Sequence, residues 1–189
     1  MKRCSWVGNN SIYIKYHDTE WGVPVYDDQT IFEFLILETF QAGLSWIIIL
    51  KKRENFRLAF DNFNYNKIAN YSAKKINQLS QDKKIIRNKL KIKAAVINAQ
   101  AFISTQKEFG TFSKYLWRFV NEKPVINNFK SIKEIPTKTV LSNKISLDLK
   151  KRGFKFVGPT IIYSHMQAMG MINDHTTDCY RFNEIQTIY

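Results

Sequence analysis

Both cysteines of the chain have a histidine close by in sequence: His17 follows Cys4, and His175 precedes Cys179 by four residues. Positions four apart share one face of a helical turn, so His175 and Cys179 can converge on one ion. Two thiolates and two imidazoles complete a tetrahedral Zn2+ shell. A shell filled by four protein ligands has no position for activated water, so one such zinc would be structural, clipping the N-terminal segment to the C-terminal one. The half-sites match no usual finger spacing, and the same residues also read as two buried thiols and two ordinary histidines. In a reducing compartment a disulfide between the two ends would not persist. The third histidine, His165, falls within Ile161 to Met169 and reads as a helix-surface or pocket residue without a ligand role.

A second constellation lies between Trp6 and Trp46. Trp6, Tyr13, Tyr16, Trp21 and Trp46 lie along a stretch with one potentially buried acid, Glu38. Rings around a carboxylate suit a flat, electron-poor or cationic heteroaromatic that stacks and pairs with the acid, and a flipped nucleobase is such a ligand. The competing reading is that the rings are core and that Glu38 pairs with a lysine or caps a backbone group. A third constellation runs from Leu149 to Thr160. A helix ends at Gly153, a short hairpin follows, and Gly158 with Pro159 opens the next helix. Backbone N–H groups at that helix start, with Lys150, Lys151, Arg152 and Lys155 beside them, offer a sequence-independent grip on a phosphate, or the segment is a plain helical corner.

Charge supports a polyanionic partner. Twenty-nine basic against 16 acidic side chains leave +13 over 189 residues, with a pI near 9.7, and nucleic acid is the commonest partner of such a field. The densest basic run, Lys74 to Lys93, is opposed by Asp82 alone and reads either as phosphate-facing or as a solvated face. No apolar run approaches the roughly 18 to 20 residues of a membrane span, because Ile47 to Leu50 meets Lys51-Lys52-Arg53 at once. The first residues have charge but no apolar signal-peptide core, so a cytoplasmic protein is expected.

The elements that must position these groups are helical. The 44% hydrophobic and 14% aromatic content can fill one core, and a single domain over residues 1–189 is expected, its 181–189 tail of uncertain order. Ile31, Phe34, Leu35 and Glu38 have helical spacing, with Asp27 or Asp28 as cap and Gly43 as terminator or bend. A second helix is expected from Leu44 to Phe60, with Trp46, Ile49, Leu50, Phe56 and Phe60 inward and Lys51, Lys52, Arg53 and Arg57 outward. Further helices are expected over Tyr65 to Asn70, Ser72 to Leu79, Lys89 to Gln106, Gly110 to Asn121 and Leu141 to Arg152. Alternating patterns are nearly absent, which makes the chain all-α.

Six collinear strings carry a resemblance: Arg3-Cys4-Ser5-Trp6, Tyr16 to Pro24, Gln41 to Trp46, Lys52 to Phe56, Lys151 to Gly158 and Asn173-Asp174-His175. Together they resemble the DNA-3-methyladenine glycosylase I (Tag) family of helix-hairpin-helix DNA glycosylases, from about Met1 to Tyr180. The resemblance implies an all-helical fold with zinc held by Cys4, His17, His175 and Cys179. It implies that Glu38, Tyr16 and Trp46 read the excised base, with Trp6, Tyr13 and Trp21 lining the same pocket. Gly153 to Gly158 would meet DNA phosphate, with Lys155 in that turn, and Gln41, Gly43 and Leu44 belong to the loop that enters the duplex beside the vacated nucleotide. One departure is visible: where the family pattern has threonine two positions after Trp46, this chain has Ile48.

The implied activity is hydrolysis of the N-glycosidic bond of 3-methyladenine in double-stranded DNA, leaving an abasic site without a lyase step; a single-site repair enzyme has no need of a dimer, so a monomer is expected. Glu38 is the candidate catalytic residue, as a base-binding group or as a general base on water. Asp174 is the nearest acid beyond the hairpin, and its place before His175 favours an orienting or capping role. A noncatalytic zinc-clipped DNA-binding module, and a glycosylase for other alkylated bases such as 7-methylguanine, are the alternatives.

Overall fold

The computed structural model describes residues 1–188. Asn10 accepts hydrogen bonds from Ile12 and Tyr13 N–H and starts helix α1 (Ser11–Thr19). Asp27 caps α2 (Asp28–Gln41) at Thr30 N–H. Every residue of α2 from Ile31 to Phe40 is buried, as befits a helix apolar on nearly all sides that runs through the core. Helix α3 (Trp46–Ala59) packs on α2, and α4 (Tyr65–Ile68) and α5 (Ala73–Gln81) follow, with Asn64 and Ser72 as side-chain caps. The long α6 (Lys89–Phe109) ends at Gly110, and α7 (Phe112–Trp117) follows. Asp28 at the start of α2 accepts Phe112 and Ser113 N–H at 2.8 and 2.7 Å, which ties α7 to the central helix.

The last third carries β1 (Val125–Ile126), α8 (Val140–Lys151), α9 (Pro159–Ala168), β2 (Ile172–Asn173) and α10 (Tyr180–Gln186). The two short strands pair in parallel, Val125 with Ile172 and Ile126 with Asn173. The main core is rich in phenylalanine, with Phe40, Phe56, Phe60 and Phe63 packed in one group and Phe32, Phe102 and Phe112 in another. A smaller cluster gathers Cys4, Val7, Tyr16, Trp21, Phe34, Leu50, Ala168 and Cys179. Among the described residues, no helix is long and apolar enough to cross a membrane.

The observed helices follow the expected ones with shifts of a few residues, and several differences have clear causes. The helix expected from Leu44 starts at Trp46, because Gly43 (φ +80°) and Leu44 form a turn closed by Leu44 N–H to Gln41 C=O. The expected Gly110–Asn121 helix keeps only Phe112–Trp117 as α-helix, then tightens into a 3-10 turn over Arg118–Val120 that ends at left-handed Asn121. Helices α1 and α10 have no counterpart among the expected elements. Both are short and hold through tertiary contacts, α10 by burying Phe182 and Ile185. Arg53, expected outward, is buried, since Glu33 and Glu20 accept from its guanidinium at 2.6 and 2.5 Å. Lys91, part of the basic run, is buried as well.

Candidate active site and metal cluster

Several separate segments converge on one cavity of about 220 Å³. The N-terminal 3-10 turn brings Trp6, α1 brings Tyr13 and Tyr16, and the turn after α1 brings Trp21. Helix α2 adds Glu38 and Gln41, and Trp46 stands at the first turn of α3. The volume lies below the roughly 300–1,000 Å³ of sites for drug-sized ligands, so a single flat ring system is the natural occupant. Trp6 meets Tyr13 and Trp21 edge-on at 5.4 and 5.1 Å, and Tyr16 lies 5.6 Å from Trp46, so each ring is held by another. Tyr13 also serves the backbone, because its hydroxyl accepts Ile47 N–H at 3.0 Å and supplies the cap that Ser45 does not give to α3.

The polar groups of this cavity are incompletely paired. Glu38 Oε2 and Trp46 Nε1 are buried and have no partner within the protein. Orphaned buried groups of this kind cost about 1–3 kcal/mol each, and they are satisfied by a ligand that brings both a donor and an acceptor. Burial pushes the Glu38 carboxyl up to about 8, so the side chain is mostly neutral at pH 7 until a positive charge enters the cavity. Burial likewise raises Tyr16 well above the ordinary phenol value, with the Glu38 charge adding to it.

Four further lining residues escaped sequence reasoning: Ile132, Ile135, Ser164 and Gln167. The isoleucines come from an irregular stretch with no periodic signal. Ser164 and Gln167 are three apart on α9 and share a face, a pattern visible in the sequence but not tied there to the rings. Ile48 lies outside the lining and is 37% exposed, so the departure from threonine faces away from the cavity. His165 is neither a surface nor a lining residue: it is 2% exposed, its Nε2 stands 3.1 Å from Ile31 C=O, and burial lowers its pKa to about 4.

Behind the aromatic wall, Cys4, His17, His175 and Cys179 come together, all buried, with their ligand atoms within 4.8 Å of one another. Cys179 Sγ is 3.4 Å from His17 Nε2 and 3.6 Å from His175 Nδ1, and Cys4 Sγ is 3.5 Å from His175 Nδ1. Sulfur and nitrogen ligands at zinc distances of roughly 2.3 and 2.0–2.1 Å around a tetrahedral centre would stand about 3.6 Å apart. The remaining imidazole nitrogens are engaged, His17 Nδ1 with Asp18 at 2.8 Å and His175 Nε2 with Trp21 C=O at 3.0 Å. That leaves Nε2 of His17 and Nδ1 of His175 with lone pairs toward the cluster, the arrangement that orients metal-bound histidines. Asp18 is held well below the ordinary carboxylate range by hydrogen bonds from Arg3. Of the thiols, Cys179 is lowered, with Cys4 and both imidazoles facing it, and the Cys4 thiol is raised by its neighbour Cys179 and by burial. Two thiolates so close repel unless a cation lies between them, and the donor set therefore fits a metal ion. Gly22, at φ +79°, lets the chain pass against His175, since a β-carbon there would sit 3.0 Å from its Nε2. Trp6 and Trp21 touch His17, and Trp21 touches His175, so cluster and cavity share a wall.

The candidate DNA-facing residues fall in two turns. In the first, Gln41 lines the cavity while Gly43 and Leu44 are exposed beside it. Lys91 Nζ donates to Phe40 and Ala42 C=O at 2.8 and 2.6 Å and so pins the end of α2 from which this turn departs. In the second, Gly153 (φ +94°) turns the chain after α8, but its N–H is spent on Lys150 C=O, and Asn98 holds both backbone groups of Lys155. The Lys155 side chain is exposed, and Gly158 caps α9 with Pro159 at the first helical position.

Comparison with known proteins agrees with this geometry. The Methyladenine glycosylase family matches residues 6–182. The "DNA-3-methyladenine glycosylase" of Haemophilus influenzae is 49% identical over 177 residues, covering 94% of this chain and 96% of the relative. The "DNA-3-methyladenine glycosylase 1" of Escherichia coli is 48% identical over 179 residues, covering 95% and 96%. A solved structure of 3-methyladenine DNA glycosylase I from Staphylococcus aureus, described as the structural basis of 3-methyladenine recognition, superposes with TM-score 0.92 at 37% identity over 95% of this chain and 96% of that one. With the aromatic cavity, the paired thiols and imidazoles and the family match over nearly the whole length, the chain belongs to the methyladenine glycosylase family.

Proposed function

We propose that the protein is a monofunctional DNA glycosylase that flips 3-methyladenine out of alkylated double-stranded DNA and hydrolyses its N-glycosidic bond. The observation that carries the reading is the pair of orphaned polar atoms, Glu38 Oε2 and Trp46 Nε1, inside a buried aromatic cavity of single-base size. A methylated adenine offers a flat face to Trp46 and Tyr16, a positive charge to Glu38, and donors and acceptors along its edge. Methylation at N3 gives the base a formal charge before the enzyme acts, so the bond to the sugar is already weakened. Selectivity follows from the same charge. A neutral adenine meets a protonated Glu38 and gains little, whereas the cationic lesion stabilises the carboxylate that burial otherwise disfavours.

In this reading Glu38 and Tyr16 read the base edge, and Trp6, Tyr13 and Trp21 complete the walls. Gln41, Gly43 and Leu44 occupy the space the flipped nucleotide leaves, with exposed Leu44 as the apolar wedge. The α8–α9 turn is a helix-hairpin-helix grip on the DNA backbone, using free N–H groups at the start of α9 and the Lys155 side chain. Cys4, His17, His175 and Cys179 hold one structural zinc, which supplies cross-linking of the termini and no step of the reaction. Residues 1–189 act as one domain and a monomer suffices for a single lesion. A DNA substrate implies the cytoplasm as the place of work.

The test is chromatography of bases released from methylated duplex DNA by the wild-type protein and by Glu38→Gln, with bound zinc measured in both. Release of 3-methyladenine by wild type, sharply reduced in a zinc-replete Glu38→Gln protein, is the expected result. A folded, zinc-loaded wild type that releases no base would leave a noncatalytic DNA-binding module as the better account, and release dominated by 7-methylguanine would change the substrate.

A further inference from the structure

Glu38 is 3% exposed, on the deep wall of the cavity, where it meets the base. Hydrolysis also needs a polar group nearer the mouth, where the sugar stays, to hold the water that attacks C1′. Ser164 and Gln167 line the cavity from α9, are less enclosed than Glu38, and are candidates for that place.

Gln167 is oriented from behind by a buried carboxylate. Its Nε2 donates to Asp174 Oδ2 at 2.8 Å. Asp174, 1% exposed, also accepts from the Tyr163 hydroxyl at 2.6 Å and from Asn127 Nδ2 at 2.7 Å. All three donors are uncharged, so the carboxylate is solvated by the protein without a cation among its partners. An amide is ambiguous about which end it presents, and the carboxylate removes the ambiguity: the NH2 must face Asp174, and the carbonyl oxygen is left free. Among the described residues nothing donates to Gln167 Oε1. The Gln167 backbone carbonyl accepts Gly22 N–H at 3.0 Å, which locks this end of α9 to the turn carrying Trp21. The short β1–β2 ladder has a purpose in the same scheme, because its register sets Asn127 against Asp174.

We infer that Gln167 Oε1 holds the attacking water and that Asp174, with Tyr163 and Asn127, is the positioning group that aims it. The inference rests on the glycosylase reading. The water oxygen forms its bond to C1′ as the C1′–N9 bond breaks. The departing base takes both electrons of that bond and leaves as neutral 3-methyladenine, and the surplus proton passes to bulk water through the mouth. Gln167 does not take the proton; it fixes the water and places a partial negative charge, backed by Asp174, beside the positive charge growing on the sugar.

The experiment is single-turnover excision from a duplex carrying one 3-methyladenine, comparing wild type with Gln167→Leu, which keeps the bulk, and with Gln167→Ala, which needs no repacking. Free 3-methyladenine affinity, read by quenching of the cavity tryptophans, is measured alongside, with duplex affinity, zinc content and Tm. The expected result is an excision rate lower by about 100-fold in both variants, with base and duplex affinities within about twofold of wild type. A role in shape alone would move affinity and rate together, so an equal loss in both overturns the inference, as does a rate that stays within about threefold of wild type. Failure of the wild type itself to release the base would instead strike the glycosylase reading.

Discussion

Replacing Glu38 with glutamine separates the cost of the cavity from its use. The carboxyl is buried and its pKa is raised from an ordinary 4.5 to about 8. A carboxyl whose folded-state pKa is raised binds its proton more tightly in the folded chain, so stability is lost as pH rises from the unfolded value through the folded one. With those two values the cost is about 1 kcal/mol near pH 5, about 3 near pH 7 and about 5 near pH 9. Glutamine has nearly the same shape and no charge to desolvate. Its buried NH2 adds a penalty of about 1–3 kcal/mol, but one that does not vary with pH. The difference in stability between wild type and Glu38→Gln should therefore move by about 4 kcal/mol in favour of the variant between about pH 5 and pH 9. For a chain of this size that is roughly 8–16 °C in Tm. All other titrating groups are common to both proteins and cancel in the difference. The assay is thermal unfolding of both proteins across that range, without DNA, beside base release at one pH. A difference in Tm that is flat with pH would refute the reasoning, because it would mean that Glu38 is not held neutral by burial. A variant that gains stability at high pH while losing excision would show a carboxylate kept at the expense of the fold.

Three other perturbations have defined outcomes. Lys91→Met removes the donor that holds Phe40 and Ala42 C=O, and is expected to cost about 1–3 kcal/mol of stability and to slow excision from duplex DNA while free 3-methyladenine still quenches the tryptophans; parallel loss of both signals would contradict a role centred on the turn. Chelation, or Cys4→Ala, is expected to free the N-terminal segment for proteolysis and to shift tryptophan emission, since Trp6 and Trp21 pack on the cluster and structural zinc contributes on the order of 10 kcal/mol of binding free energy. Lys155→Gln should weaken duplex binding evenly across sequences and lower the salt slope of the association constant by about 1, and an unchanged slope in salt titrations would remove Lys155 from the phosphate contacts.

Much of the site is legible in the sequence because its residue types are uncommon in one place. Two cysteines and their neighbouring histidines can form a ligand set whichever helices carry them, and five large rings with a potentially buried acid among them suit a cavity for a flat, electron-poor or cationic ring as well as a plain core. Helical spacing locates α2, α3, α6 and α8 to within a few residues, and Asp27, Asn88 and Thr139 mark the starts of three of them as side-chain caps. Harder to read are the short α1 and α10, which lack a strong pattern of their own and are stabilised by what they pack against. Arg53 and Lys91 read as surface residues, and His165 as a surface or pocket residue, for a related reason. A polar side chain is buried when partners meet it, and Glu20, Glu33, the end of α2 and Ile31 C=O come from distant parts of the chain.

Residue types and local spacing carry the helical class, offer the rings, the acid and the two cysteines with their histidines as candidates, and place turns at Gly43, Gly153 and Gly158. These follow from residue type and local spacing, which act within a few residues. Packing alone sets the rest: Glu38 and Trp46 each leave a polar atom unpaired in one cavity, Trp6 and Trp21 divide that cavity from the cysteine–histidine cluster, and Gln167 Nε2 donates to Asp174. Those properties depend on burial and on which groups from separate elements come within hydrogen-bond reach, and both are set when the helices pack.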